Sequence, residues 1–116
     1  MPQFGSALVS SPRQGPPDAT SHVEARVVVM RGEYDITTVA SLWKWFGQVM
    51  AADDADLIVD MGEVTFLDAA TISVVIRART FLAERSRWLL IRSPSPCVRR
   101  IFEICELDTL FEVTAG

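Results

Sequence analysis

Residues 66–78 read FLDAATISVVIRA, and Asp68 stands where a strand-like apolar run gives way to a helix-like one. An aspartate at the mouth of a helix accepts hydrogen bonds from free backbone N–H groups, here those of Ala70 or Thr71, contributing about 0.5–2 kcal/mol. Its charge also suits the positive end of the helix dipole. Ala69 and Ala70 are good helix formers at the first helical positions. Capping alone therefore accounts for Asp68, and function must be sought in what the opened helix end presents.

Other residue sets capable of chemistry fall short. A nucleotide-binding α/β domain needs a glycine-rich turn after its first strand, and the chain has only Gly32 there. Ser/His/Asp catalysis would depend on His22, and with that single histidine a zinc site is not expected either. A phospho-receiver domain needs an acidic cluster and a later lysine, yet the one lysine, Lys44, falls on the polar side of a helix. Cys97 and Cys105 are too few for a disulfide framework, and on one helix they would lie roughly 12 Å apart along the axis. They read as small buried hydrophobes. No metal, cofactor or catalytic group is implied.

The elements that must hold Asp68 follow from pattern. At 116 residues and 49% hydrophobic the chain is one domain with material for a core. A net charge of -4 with scattered basic residues disfavours nucleic acid. Apolar runs such as residues 71–76 are far short of the ~20 residues of a membrane span, and the first residues lack the features of a signal peptide. The expectation is a cytoplasmic protein without membrane insertion. Residues 1–21 hold four of the six prolines and read as a disordered tail, leaving residues 22–116 as the domain.

Residues 25–30 (ARVVVM) form a continuous β-branched strand of the kind covered on both faces. Thr37 and Thr38 are candidate N-caps of an amphipathic helix whose apolar arc is Val39, Leu42, Trp43, Phe46, Val49 and Met50, with Trp45 at its edge. Asp53, Asp54 and Asp56 close it as a solvated turn. Leu57-Ile58-Val59 is the next apolar run. The helix after Asp68 turns Ser73, Arg77, Thr80 and Glu84 outward and Ile72, Val75, Ile76, Ala78 and Leu82 inward. Residues 87–91 make a third strand, Ser95 caps a helix with Pro96 at its first position, and Ile101, Ile104 and Cys105 face inward. Residues 110–113 end the pattern as a strand. Strands alternating with helices indicate an α/β domain with a mostly parallel central sheet of four to five strands and helices packed on it.

Three motifs carry a resemblance: Gly32-Glu33-Tyr34-Asp35 after a strand; Asp60-Met61-Gly62-Glu63-Val64-Thr65-Phe66-Leu67-Asp68; and Ser93-Pro94-Ser95-Pro96-Cys97-Val98-Arg99-Arg100-Ile101-Phe102 followed by Leu107-Asp108-Thr109-Leu110-Phe111. In this order and spacing, residues 23–113 resemble the STAS domain, specifically its bacterial anti-sigma-factor antagonist branch. The resemblance implies a STAS-like fold and a regulator of transcription without catalysis of its own. Its partner would be an anti-sigma factor with a histidine-kinase-like ATPase fold, met by Asp35, Asp68, Ala69, Ala70 and Thr71.

In that family a serine or threonine at the start of the second helix is the phosphoacceptor of a switch. Here the usual acceptor position is occupied by Ala70, beside Ala69, and Thr71 takes the place of the motif's glycine. Thr71 and Ser73 are the nearest substitute hydroxyls. The family usually adds a helix after its last strand, whereas Thr114, Ala115 and Gly116 alone follow Val113; an uncovered apolar face there would indicate a homodimer. The rival reading is a STAS-type accessory subunit of an ABC-type membrane transport complex, which shares the fold and docks on a transport ATPase.

Overall fold

Two long parallel strands build the centre of the molecule, β2 (His22–Tyr34) and β3 (Asp56–Leu67), paired from Ala25↔Asp56 to Tyr34↔Leu67. This computed structural model describes residues 3–12, 22–107 and 112–114, with side chains over 25–107. Around the pair the order of elements is β1 (Gln3–Pro12), β2, α1 (Val39–Ala52), β3, α2 (Ala69–Ala83), β4 (Leu89–Arg92), α3 (Pro96–Ile104) and β5 (Glu112–Thr114). The strands form one five-stranded sheet in sequence order, parallel except for β1, which pairs antiparallel with β2. The α/β expectation of a mostly parallel four- to five-stranded sheet with packed helices holds.

The helices share one face. Val28, Met30, Leu57, Val59, Met61, Leu89 and Ile91 from the strands join Leu42, Phe46, Val49 and Met50 of α1, Val74, Val75, Ala78 and Leu82 of α2, and Val98 and Phe102 of α3 in a single core. Alternate residues Ala25, Val27 and Ile58 are buried on the opposite face, with Val29 and Leu90 packed against them. A β2 buried on both sides is why its sequence runs apolar without alternation.

Several expectations need correction. Residues 3–12, expected within a disordered tail, form β1; the prolines of the segment fall at or beyond the strand's end, and Pro12, its last residue, suits an edge strand that need not donate there. Residues 1–2 and 13–21 lie outside the described residues, as do 108–111 and 115–116. Asp56 is not part of a solvated turn: it is buried and accepts from the Trp88 amide at 3.0 Å. Asp53 pairs with Arg26 at 2.5 Å, and only Asp54 of the three is exposed. Thr38 holds the N-cap position of α1 without capping it, its hydroxyl donating back to Asp35 O at 2.9 Å. On α3, Val98 and Phe102 point inward with Ile101 packed beside them, whereas Ile104 is 70% exposed and Cys105 is exposed. Cys97 is half-buried, so neither cysteine is a core residue.

Ser95 behaves as its neighbours in sequence demand. Its hydroxyl accepts from Val98 N at 3.4 Å and donates to Val64 O at 2.7 Å, tying the start of α3 to β3. Pro96 follows where no N–H is needed.

Candidate functional site

The register of β2 and β3 decides which residues meet. Tyr34 and Leu67 are the last partners of the ladder, so Asp35 and Asp68 leave the sheet side by side at the C-terminal ends of two parallel strands. Gly32, with φ 86°, lies at one of two register shifts that bend β2 into this end. Tyr34 anchors the turn from below: its ring is fully buried, and its hydroxyl accepts from the Arg31 amide at 3.0 Å.

Each aspartate is locked by a threonine two or three residues on. Asp35 Oδ1 accepts from Thr37 N at 2.8 Å and from Thr37 Oγ1 at 2.5 Å, an Asx turn. These bonds, the Thr37 hydroxyl first, hold the Asp35 carboxyl below the usual carboxylate range. Asp68 Oδ1 accepts from Thr71 N at 2.9 Å and Thr71 Oγ1 at 3.0 Å, which caps α2. Both carboxylates are thus structural acceptors within their own turns.

What the two turns present outward is mostly apolar and neutral. Ile36, between the two ends of the Asx turn, is 74% exposed, and Phe66, two residues before Asp68, is 46% exposed. Ala69 is exposed, Ala70 and Asp68 are half-buried, and Thr71 is fully buried. Of the five residues expected at the partner surface, Asp35, Asp68, Ala69 and Ala70 come together at one accessible end of the sheet. Thr71 supports that end from inside: a hydroxyl with no exposed surface, already donating to Asp68, is closed to a kinase in this conformation. Ser73 is exposed one turn on, its Oγ donating to Ala69 O at 3.0 Å.

Ile36 and Phe66 escaped the sequence reading. Ile36 is an apolar residue stranded in a turn between Asp35 and Thr37, which is a usable signal of a contact outside the core. Phe66 was hidden because β3 changes its burial period: inward residues are Leu57, Val59 and Met61, then Val64 and Leu67 at every third position. The change accompanies the register shifts against β2, and a bulge is not legible in an alternation pattern.

Among the described residues no group of three His, Cys, Asp or Glu side chains is placed to hold a metal ion, and no helix is long and apolar enough to cross a membrane. His22 begins β2, at the far end of the strand from Asp35. The arrangement is an accessible end of the sheet with exposed apolar side chains and two carboxylates fixed by hydrogen bonds.

Comparison with known proteins identifies the fold and the family. No curated protein matches the chain at a significant level. In fold it is similar to the anti-sigma factor antagonist SpoIIAA in its unphosphorylated form, at a TM-score of 0.69 and 18% identity over 95% of this chain and 89% of that one. It is likewise similar to an anti-sigma factor antagonist from Mycobacterium paratuberculosis, at a TM-score of 0.67 and 21% identity over 97% and 87% of the two chains. The Bacillus SpoIIAA structure in the phosphorylated form aligns at a TM-score of 0.62 and 18% identity, over 95% and 92%. At these identities the likeness is one of fold. A family model described as "Mlab, STAS domain" matches residues 18–112, most of the 116-residue sequence, and the chain therefore belongs to the STAS domain family.

Proposed function

We propose that this protein is an anti-sigma-factor antagonist: a bacterial, cytoplasmic regulator of transcription that works by docking rather than by catalysis. Its partner is an anti-sigma factor with a kinase-like ATPase fold, held at the end of the sheet formed by Asp35, Ile36, Phe66, Asp68, Ala69 and Ala70. The observation that carries this reading is the neutral helix mouth itself, with Ala69 and Ala70 accessible, together with the exposed apolar side chains of Ile36 and Phe66 on the two chain segments that flank Asp35 and Asp68. Exposed apolar side chains grouped with a charged rim are the usual make-up of a contact between proteins. The fold it shares with SpoIIAA, an anti-sigma factor antagonist described in both unphosphorylated and phosphorylated forms, supports the antagonist reading.

The absence of a hydroxyl at Ala69 and Ala70 defines how this antagonist differs from a switched one. A phosphate brings roughly -1.5 to -2 charges at neutral pH. A helix N-terminus stabilises an anion, so such a group would leave α2 folded and act against the partner by like charge and desolvation. With alanine at the acceptor position that brake is missing, and the antagonist is competent to bind at all times or is governed elsewhere.

The same observation favours a second reading, a STAS-type accessory subunit of an ABC-type transport complex, since permanent docking on a transport ATPase has no use for a switch. Affinity capture from the native host with the wild type and with Ala69→Glu separates the two. A small ATP-binding anti-sigma factor retained by the wild type and lost by the variant supports the antagonist; a transport ATPase in its place supports the accessory subunit. Capture of either one unaffected by Ala69→Glu would remove the helix mouth from both readings.

A further inference from the structure

We infer that the free edge of β1 is a second docking surface, and that its occupant is a second copy of this chain, paired antiparallel with the first, β1 against β1. The five strands lie in sequence order, so β1 and β5 are the two edges of the sheet. An edge strand turns the N–H and C=O groups of alternate residues away from its one neighbour, and they form a template for a further strand. Among the described residues no strand pairs with the outer side of β1.

The two edges are built differently. β5 is three residues long, Glu112–Thr114, and begins with an acidic residue. β1 runs ten residues, QFGSALVSSP, without the charges, interior proline or bulge that blunt an edge. It includes no Lys, Arg, Asp or Glu, and its one proline is its last residue. Its register against β2 runs from Gln3↔Arg31 to Pro12↔His22 without a shift, whereas the ladder between β2 and β3 has two.

The missing charge is what selects a second copy. Two identical strands pair antiparallel about a two-fold axis, which sets each residue near its own kind. On a chain of net charge -4, such symmetry brings like charges together wherever the edge is charged. Here the first charged residue of the sequence is Arg13, which follows the strand. Behind β1, strand β2 carries Glu24, Arg26 and Arg31, of both signs, and Arg26 and Arg31 are already paired with Asp53 and Glu63. The two β2 strands would stand three strand spacings apart, about 14 Å, a distance at which exposed charges are largely screened.

The pairing closes on itself. Two five-stranded sheets join into one of ten, the upper end of the usual range, and only the short β5 edges remain. The β2 strands of the two copies run antiparallel, so the sheet ends that hold Asp35 and Asp68 point in opposite directions and both stay open. The inference does not depend on those ends binding an anti-sigma factor.

The test uses the full chain under reducing conditions, which excludes a crosslink through Cys97 or Cys105. Sedimentation equilibrium should give twice the 12.9 kDa of one chain. NMR on a mixture of labelled and unlabelled chains should show intermolecular Hα–Hα contacts near Ala7 and Leu8, the middle of the strand. Ser6→Pro and Ala7→Pro are compared because neighbouring N–H groups face opposite sides of β1: one of the two should lower the mass to a single chain while the amides of residues 25–107 keep their folded shifts. Ala7→Lys, which sets like charges near the axis, should also release the dimer, less so at high salt. A single-chain mass for the wild type, which would leave the edge to a strand of another protein, would overturn the proposal. So would a dimer whose contacts lie away from β1, a mass that rises beyond two chains, or a dimer untouched by all three substitutions.

Discussion

Thr71 gives both of its donors to one oxygen of Asp68, the amide at 2.9 Å and the hydroxyl at 3.0 Å. A hydroxyl placed in this way, with no exposed surface, belongs to the cap of α2 and keeps its first turn rigid beneath Ala69 and Ala70.

Removing the cap should therefore cost more than removing the hydroxyl. Asp68→Ala is expected to destabilise by about 0.5–2 kcal/mol, and Thr71→Val, which keeps the amide bond, by about 0.5–1.5 kcal/mol. Urea unfolding of the two variants checks this. An unchanged midpoint for Asp68→Ala would show that the cap does not hold the helix mouth.

Tyr34 is the chain's single tyrosine, so an absorbance titration reports on it alone. Burial pushes its phenol above the ordinary value, partly offset by the Arg31 amide and charge. The folded value lies above the unfolded value of about 10. The stabilisation it provides is then intact below about pH 10 and is lost as pH rises through the folded value. Tyrosinate should appear only above the midpoint of a free tyrosine; a midpoint at or below it would contradict the buried placement.

Asp35 titrates in the opposite sense. Its folded value lies below the unfolded one of about 3.9, so whatever stability it adds is present above that pH and is lost as pH falls through the folded value. Thr37→Val deletes the hydroxyl donor and keeps the amide. Carboxyl NMR should then show the Asp35 midpoint moving up toward the ordinary range, and an unmoved midpoint would mean that the Asx turn does not hold the carboxylate.

Gly47 gives a prediction in stability alone. Open space around a built Cβ means that Gly47→Ala introduces no clash with the described residues, and α1 gains helix propensity worth about 0.8–1 kcal/mol. Thermal unfolding should show a raised midpoint. A lowered one would mean that the glycine is needed by the fold itself.

Much of this framework was legible in the sequence, and the exceptions have physical causes. The phases of α1 and α2 were readable because each runs 14 residues or more with a core side that repeats several times. On α3, nine residues with Val98 and Phe102 as the buried pair give too short a pattern to fix its rotation, and Cys105 at its C-cap and Ile104 beside it were placed inward. Ser95 and Asp68 were found because a cap is a local bond to an amide three residues on. Asp56 was missed because its partner, the Trp88 amide, is 32 residues away. Strand β1 was missed because composition over a window counts prolines and cannot see the open edge of β2 waiting beside it.

At the candidate site the aspartates and alanines were legible from the motif, while the proximity of Asp35 to Asp68 came from the Tyr34↔Leu67 register. The most direct test is a mass and binding measurement on the complex with the kinase-like anti-sigma factor proposed as its partner, incubated with ATP and magnesium, for the wild type and for Ala70→Ser. The account predicts a wild-type complex that stays unmodified and intact while Ala70→Ser gains phosphate and dissociates. Stoichiometric phosphate on the wild type between Asp68 and Ser73, with release of the partner, would contradict it.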